Sequence, residues 1–242
     1  MKRGLIRKRS ILLLLPLLLA TLSGCMYSGE VKKQGKLASG EYVTVVQNAV
    51  DTFHKATGVL PIKNKPMDTP IYEKYLIDFK KLTERNMLTT VPTNAFENGG
   101  SAIYVLVDPE TKPTVKLMDL AAYQKIEQLQ TDVNAYVEKT GERPYGIPLA
   151  PSFYALDFGK LKQKQVQVQS PFSRQYLTVM IHESGVLAID YGPDIMKQVT
   201  AKGLTPGPKL DLRTLLVSEG FYVPARSVPY HWIGNQPVPS IE

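Results

Sequence analysis

The chain has 242 residues, of which 43% are hydrophobic and 21% are charged, and its formal net charge is +7. A single cysteine excludes a disulfide framework within the chain. Five of the 29 Lys and Arg residues lie within the first nine positions, and removing them leaves 24 basic against 22 acidic residues, a net charge of +2. A nearly neutral chain gives no support for a nucleic-acid-binding surface.

The N-terminal segment has the three parts of a secretory signal peptide. A basic start is followed by an apolar run at residues 11–20, which only Pro16 interrupts, and then by small residues. The run is about half of the roughly 20 residues that span a bilayer as a helix. Residues 1–24 are therefore predicted to be a cleaved signal peptide, and a retained signal anchor is the less favoured alternative.

The residues Leu22, Ser23, Gly24 and Cys25 follow the apolar run. They resemble the lipobox of bacterial lipoproteins, in which the signal peptide is cleaved before the cysteine and the thiol receives a diacylglyceryl group. The resemblance implies a protein held by a lipid on Cys25 at the extracytoplasmic face of the cell membrane. Two acyl chains anchor a protein stably, whereas one binds only marginally. The polar residues 25–41 are predicted to form a flexible tether.

An internal repeat organises the rest of the chain. Residues 50–61 and 133–144 share an apolar position, an aromatic position three residues later and the sequence Thr-Gly-x-x-Pro, at an offset of 83 residues. Two further pairs of blocks follow in the same order, residues 75–82 with 154–161 and residues 115–119 with 186–190. This order predicts two tandem repeats, repeat 1 at residues 42–118 and repeat 2 at residues 119–190.

A shortened third copy is predicted within residues 191–242. Gly203 and Pro206 repeat the Gly-x-x-Pro step, residues 210–215 repeat the step that contains an aspartate, and Pro224 follows. This copy is expected to lack the later strands. Its alternative role is to cap repeat 2.

Each repeat begins with a predicted amphipathic helix. Val43, Val46, Val50 and Phe53 are spaced three or four residues apart, which makes one stripe of a helix, and residues 123–136 show similar spacing. The predicted caps are Gly58 and Gly141 at the C-termini of these helices, Asp119 at the N-terminus of the second, and Asp78, Asp157 and Asp211 before short helices.

Short β-rich runs complete the repeats. The predicted strands are residues 102–107, 114–118, 165–169, 176–181 and 186–189, with turns at 108–113 and 182–185. The predicted fold class is α+β, with two tandem units of a long helix, a short helix and a small antiparallel sheet, plus a partial third copy. The sequence leaves open whether the two sheets form one continuous sheet or two lobes.

This order of elements resembles the soluble part of type II secretion pseudopilins and related pilins. Residues 57–61, Leu82 with Pro92, and residues 98–104 carry the resemblance. It implies a similar fold but no fibre formation, because a lipobox stands where pilins have a phenylalanine-rich apolar helix. The whole chain is also similar to the uncharacterised YphF-like lipoproteins of Bacillus-type bacteria, with the lipobox as the shared element, and this resemblance implies a location only.

No local catalytic or metal-binding pattern stands out in the sequence. The histidines are His54, His182 and His231, and the sequence contains neither His-Glu-x-x-His nor a cysteine ligand pair. The Gly-rich residues 98–101 precede a predicted strand, which does not favour phosphate binding. We expect no enzymatic activity, no cofactor and no metal. Catalytic residues dispersed along the chain are the alternative.

The C-terminal segment contains the predicted interaction surface. Tyr222, Arg226, Tyr230, His231 and Trp232 lie close together in the sequence among several prolines. Aromatic residues of this kind bury large areas at low entropic cost when they recognise proteins or sugars. The alternative is that the segment packs over the last repeat as an extended lid.

These observations favour a membrane-anchored, non-enzymatic module that binds a protein partner in the cell envelope or assists the assembly of an envelope or spore layer. A solute-binding or sensing lipoprotein for a small ligand is the first alternative. An envelope hydrolase is the second.

Overall fold

The computed structural model describes residues 27–63 and 65–241. The predicted signal peptide and the lipobox at residues 22–25 lie outside the described residues. The described residues up to Tyr42 belong to one compact unit, and those from Val43 onwards belong to a second. The described residues of the first unit are helical, and the second contains the sheets and the C-terminal segment. None of the described helices is both long and apolar enough to cross a membrane.

Helix α1 spans Tyr27–Thr57 and includes most of the predicted tether at residues 25–41. The prediction of a flexible tether is therefore wrong from Tyr27 onwards. Helices form through local backbone hydrogen bonds, and no proline interrupts the sequence between Tyr27 and Thr57. The prediction failed because the glycines of this segment, which each cost a helix about 1 kcal/mol, suggested a flexible chain.

Repeat 1 continues with short helices and one β-hairpin. Helices α2 and α3 span Ile71–Lys74 and Phe79–Glu84, a 3-10 turn spans Phe96–Asn98, and strands β1 and β2 span Ala102–Val107 and Thr114–Asp119. The strands pair antiparallel. Asp78 is the N-cap of α3 and accepts a hydrogen bond from the Lys80 amide, which confirms the prediction for this residue.

Repeat 2 contains a long helix and a four-stranded antiparallel sheet. Helix α4 spans Leu120–Thr140; Asp119 accepts a hydrogen bond from the Ala122 amide at its start, and Gly141 ends it with a φ of 72°. Strands β3 (Tyr145–Ala150), β4 (Phe153–Leu156), β7 (Val179–His182) and β8 (Leu187–Ile189) form the sheet in the order β3-β4-β7-β8. Strands β5 (Val168–Gln169) and β6 (Tyr176–Leu177) form a small separate hairpin. Both predicted caps of α4 are confirmed.

The two repeats share contacts as well as the order of their elements. Lys81 donates from Nζ to the carbonyl of Ile62 at 2.9 Å. Lys160 donates to the carbonyl of Tyr145 at 2.9 Å, and Tyr145 lies 83 residues after Ile62. Helices and small antiparallel sheets therefore coexist in each repeat, and the predicted α+β class is confirmed.

Repeat 2 differs from the prediction where a second short helix was expected. Asp157 accepts hydrogen bonds from the amides of Gly159 and Lys160, as a cap would, but turns follow it. Gly159 stands where helix α3 has Lys80, and glycine disfavours a helix by about 1 kcal/mol. Asp157 therefore closes a turn and does not begin a helix.

The strands of repeat 2 also differ in extent from those predicted. Only Val168–Gln169 forms a strand in the alternating run at residues 165–169. The run at residues 176–181 is divided into β6 and β7. The hairpin of β3 and β4 was not predicted, and β3 contains Pro148, a residue that is rare within strands.

The third copy is more complete than predicted. Helix α5 spans Gly192–Lys202, helix α6 spans Arg213–Glu219, and strands β9 (Tyr230–Ile233) and β10 (Gln236–Pro239) pair antiparallel. The expectation that the later strands are missing is wrong. Gly234 and Asn235 both have positive φ and form the turn, a pattern that favours a hairpin, although β10 contains Pro237 and Pro239 and proline is rare within strands.

Residues 221–226 connect the sheets of the two repeats. The Leu117 amide donates to the Phe221 carbonyl at 2.7 Å, and the Val223 amide donates to the Leu117 carbonyl at 2.9 Å. On the other side, the Ile189 amide donates to the Arg226 carbonyl at 2.8 Å. The C-terminal segment thus pairs with the edge of β2 and with the edge of β8, so the two sheets are joined through it.

Candidate binding cleft

A cleft with a volume of about 590 Å³ lies beside the β8 edge. It is lined by three stretches that are distant in sequence: residues 68–73, residues 186–188 and parts of residues 211–241. Its lining includes three carboxylates and two guanidinium groups, and most other lining residues are apolar. Clefts of this size accept small molecules or single side chains of a partner.

One ion pair in the cleft joins Arg213 to Asp211. The Arg213 Nη2 lies 2.7 Å from the Asp211 Oδ2, and Nε donates to both carboxylate oxygens. Nη1 donates to the carbonyl and the hydroxyl of Ser227, and the guanidinium lies 5.0 Å from the Tyr72 ring centroid. Burial is the main cause that raises the pKa of Tyr72 to about 12, and the Asp211 charge adds to it.

Glu73 is a nearly buried carboxylate in the lining of the cleft, with 5% of its side chain exposed. Oε1 accepts a hydrogen bond from the Arg226 amide at 2.6 Å. Oε2 lies 3.8 Å from the Arg226 Nη1, and no hydrogen bond from the described part of the chain reaches it. Burial raises the pKa of Glu73, and the Arg226 amide and guanidinium partly offset the rise.

The Arg226 side chain contacts residues of helix α4 beside the cleft and does not point freely into solvent. Its Nη1 lies 2.7 Å from the Glu127 Oε1 on helix α4, and its guanidinium lies over the Tyr123 ring. Its backbone φ is 53°, an uncommon conformation for a residue with a side chain. Arg226 therefore connects helix α2 of repeat 1 with helix α4 of repeat 2 through two carboxylates.

Tyr230 is fully buried, so it cannot belong to the predicted interaction surface. Its hydroxyl donates to the Asp190 Oδ1 at 2.8 Å and accepts a hydrogen bond from the Tyr191 amide at 3.1 Å. Burial raises the pKa of Tyr230, and the Asp190 carboxylate raises it further. The prediction erred because a tyrosine can bury its ring whenever its hydroxyl finds a partner.

The other residues of the predicted surface are half-buried and are not gathered into one patch. Tyr222 bridges in parallel to Leu117 of β2. Trp232 packs against the core of repeat 2, and His231 pairs with Val238 in the β9–β10 hairpin. These positions agree with the alternative, a segment that packs over the repeats. The sequence did not indicate Glu73 and Arg213 as site residues, because their partners lie in other parts of the fold.

Strand β3 presents apolar side chains at the edge of the repeat 2 sheet. Ile147 is 70% exposed and Leu149 is 39% exposed. The rings of Tyr145 and Tyr154 stack beside them with centroids 4.5 Å apart. The corresponding stretch of repeat 1, residues 62–66, has the sequence Ile-Lys-Asn-Lys-Pro. The corresponding stretch of sequence is therefore basic in repeat 1 and apolar in repeat 2.

The histidines take part in local contacts. The His182 Nδ1 lies 2.9 Å from the Ser184 hydroxyl and accepts a hydrogen bond from the Ser184 amide in the turn before β8. His54 lies in the last turn of α1. Among the described residues, no group of three or more His, Cys, Asp or Glu side chains is arranged to hold a metal ion.

Comparison with known proteins identifies one region. Residues 39–119 match the YphF family N-terminal domain. The match supports a YphF-like family, and its last residue, Asp119, is the N-cap at which helix α4 begins. No curated protein and no solved structure matches the chain. The resemblance to pseudopilins therefore stays a prediction.

Proposed function

We propose that this protein is an extracytoplasmic lipoprotein, anchored to the cell membrane through Cys25, that binds a protein partner in the envelope without catalysing a reaction. The Leu22-Ser23-Gly24-Cys25 sequence supports the anchor. The C-terminal segment joins the sheets of the two repeats. Such a connected pair of α+β repeats supports a binding role, because it can hold a binding surface in a fixed shape. A protein of the envelope, or of a layer assembled on it, is the proposed partner.

The apolar edge of β3 is the observation that carries this proposal. Edge strands of soluble proteins are usually blunted by lysine, proline or charge, because their backbone groups otherwise pair with other chains. The corresponding stretch of the repeat 1 sequence contains Lys63 and Lys65, whereas repeat 2 exposes Ile147 and Leu149 beside a single proline. Exposed apolar groups at a sheet edge are typical of surfaces that bind a partner.

Site-specific photocrosslinking in the native membrane tests this proposal. A photoreactive amino acid at position 147 should give a reproducible protein adduct, identified by mass spectrometry. The matched control position is Phe96, which is 53% exposed in repeat 1. Replacing Leu149 with lysine, which puts a charge on the apolar edge, should abolish the adduct. Equal adducts from positions 147 and 96, or none at any growth or sporulation stage, would contradict the proposal.

The anchor has a separate test. Cys25→Ser removes the thiol that would carry the lipid, so the protein should lose its radiolabelled fatty acid and its resistance to salt extraction from membranes. Ser28→Ala is the matched control close to it in the sequence. A Cys25→Ser protein that remains as firmly bound to the membrane as the natural one would contradict lipid anchoring.

The cleft beside Glu73 favours a second candidate, a solute-binding or sensing lipoprotein. Its volume of about 590 Å³ suits a small ligand, and its lining combines charged and apolar groups. A screen of small molecules by thermal shift tests this candidate, because a ligand that binds only the folded protein raises its Tm. A screen in which no compound raises the Tm would contradict this candidate.

A further inference from the structure

We infer that the cleft beside Glu73 binds an organic cation, a primary ammonium or guanidinium group attached to an apolar body. This inference develops the second candidate function and is independent of the β3 edge. Failure of the crosslinking experiment would therefore not affect it.

The guanidinium groups of the cleft do not make it an anion site. Arg213 is held by both oxygens of Asp211 and by Ser227, with only 7% of its side chain exposed. Arg226 is held by Glu127 and stands near Glu73. Because carboxylates of the protein already neutralise both guanidinium groups, an anion would have to displace them.

The charges that remain favour a cation. Asp68, Glu73 and Asp211 line the cleft together with only two positive groups, Arg213 and Arg226, which leaves one negative charge in excess. Glu127 and Lys65, which lie outside the lining and also act on Glu73, carry opposite formal charges and leave this count unchanged. Charge in a cleft with low-dielectric walls acts more strongly on a ligand than it does in open water.

Glu73 provides the point of attachment. Its side chain is 5% exposed and Oε1 accepts a hydrogen bond from the Arg226 amide, whereas within the described part of the chain the partner of Oε2 is the distant Arg226 guanidinium at 3.8 Å. Buried carboxylates are normally satisfied by hydrogen bonds on both oxygens. An ammonium or guanidinium group that donates to Oε2 gives this oxygen a hydrogen bond inside the cleft. Asp68 at the rim is exposed to water and does not require such a donor.

The rim of the cleft suits the apolar body of such a ligand. Ile71, Val186 and Ile241 line it from three parts of the chain and are 54%, 46% and 43% exposed. A ligand that covers them removes apolar surface from water, which favours binding. A small inorganic cation would leave these side chains exposed. The lining therefore favours an organic cation over a small inorganic one.

Calorimetric titration of the mature lipoprotein in detergent tests the inference, with a titration into detergent alone as the blank. The probes are phenethylamine and the blocked amino acid N-acetyl-lysine methylamide, and their neutral counterparts are 2-phenylethanol and N-acetyl-norleucine methylamide. Both amines should bind, and their neutral counterparts should bind at least about tenfold more weakly. Tighter binding of the blocked lysine would indicate that the cationic group belongs to a side chain of a peptide. Tighter binding of phenethylamine would indicate that it belongs to a free amine.

Glu73→Gln should weaken amine binding by about tenfold or more, because it removes the charge and keeps the shape. Glu84→Gln is the matched control, since Glu84 lies on the exposed side of α3 outside the cleft. Circular dichroism verifies that each variant folds, and Ile71→Trp, which fills the cleft from its exposed rim, should also abolish binding. Equal binding of amines and neutral counterparts, absence of binding, or unchanged affinity in both cleft variants would overturn the inference.

Discussion

Gln47 and Gln130 make the same set of hydrogen bonds in the two repeats. Gln47 Oε1 accepts from the Val115 amide at 2.7 Å and its Nε2 donates to the Pro113 carbonyl at 3.0 Å. Gln130 does the same with the Leu187 amide and the Gly185 carbonyl, at 2.8 and 3.0 Å. Each glutamine thus ties its long helix to the last hairpin of its repeat.

Gln130→Ala should destabilise the protein by about 1–3 kcal/mol, because the partly buried Leu187 amide and the Gly185 carbonyl lose their partner. Gln128→Ala is the matched control, since Gln128 donates to Asp132 on the exposed face of the same helix and not to the hairpin. Urea unfolding of both variants measures the difference. Equal losses in the two variants would show that the bonds to the hairpin contribute nothing.

Tyr230→Phe should also lower the free energy of unfolding by about 1–3 kcal/mol, because the Asp190 carboxylate and the Tyr191 amide lose a buried hydrogen bond. Tyr176→Phe is the control, since Tyr176 is 65% exposed. Thermal and urea unfolding provide the measurement. A Tyr230→Phe protein of unchanged stability would contradict the assignment of this residue to the core.

The sequence predicted elements whose signals are local. Asp78, Asp119 and Gly141 act within one helical turn of their own positions, and the structure confirms each of them. The alignment of repeats was less accurate: it placed Val115 opposite Val186, whereas the shared glutamine contact makes Val115 equivalent to Leu187. Short apolar runs fit both of these alignments equally well, and the contact with the helix decides which of the two is correct.

Sequence patterns did not predict the cleft. The Glu73 carboxylate meets the Arg226 amide across 153 residues of sequence. Neither residue has a periodic or motif neighbour that indicates this contact. The C-terminal aromatic residues gave a compositional signal, but composition does not tell whether a ring faces the core or the solvent. Tyr230 is an example: its ring faces the core because its hydroxyl bonds to Asp190 and Tyr191 of another segment.

Gly100→Ala should destabilise the hairpin of repeat 1. A Cβ at this position would overlap the backbone of Asn94, which cannot move away as a flexible side chain would. We expect a loss of about 1–3 kcal/mol, as for other overpacked sites. Gly207→Ala is the control, because its Cβ would meet nothing within 4 Å. Equal stabilities of the two variants would contradict the close approach at Gly100.

The pH dependence of stability should reveal the buried Glu73. Burial raises its pKa in the folded protein above the ordinary value of 4.5, so the folded state binds this proton more tightly than the unfolded state. The resulting stabilisation is present below pH 4.5 and is lost as the pH rises through the higher pKa of the folded protein. Arg226 and Lys65 reduce the rise in pKa and Glu127 adds to it.

Glu73→Gln removes this titration, so the natural protein should lose stability relative to the variant as the pH rises from about 4 to about 8. Urea unfolding at a series of pH values measures the difference between the two proteins. Glu84→Gln, on the exposed side of α3, is the control and should give a nearly constant difference. If the difference between the natural protein and Glu73→Gln is also constant across this range, then Glu73 has the same pKa in the folded and unfolded states and is not buried as a carboxylate.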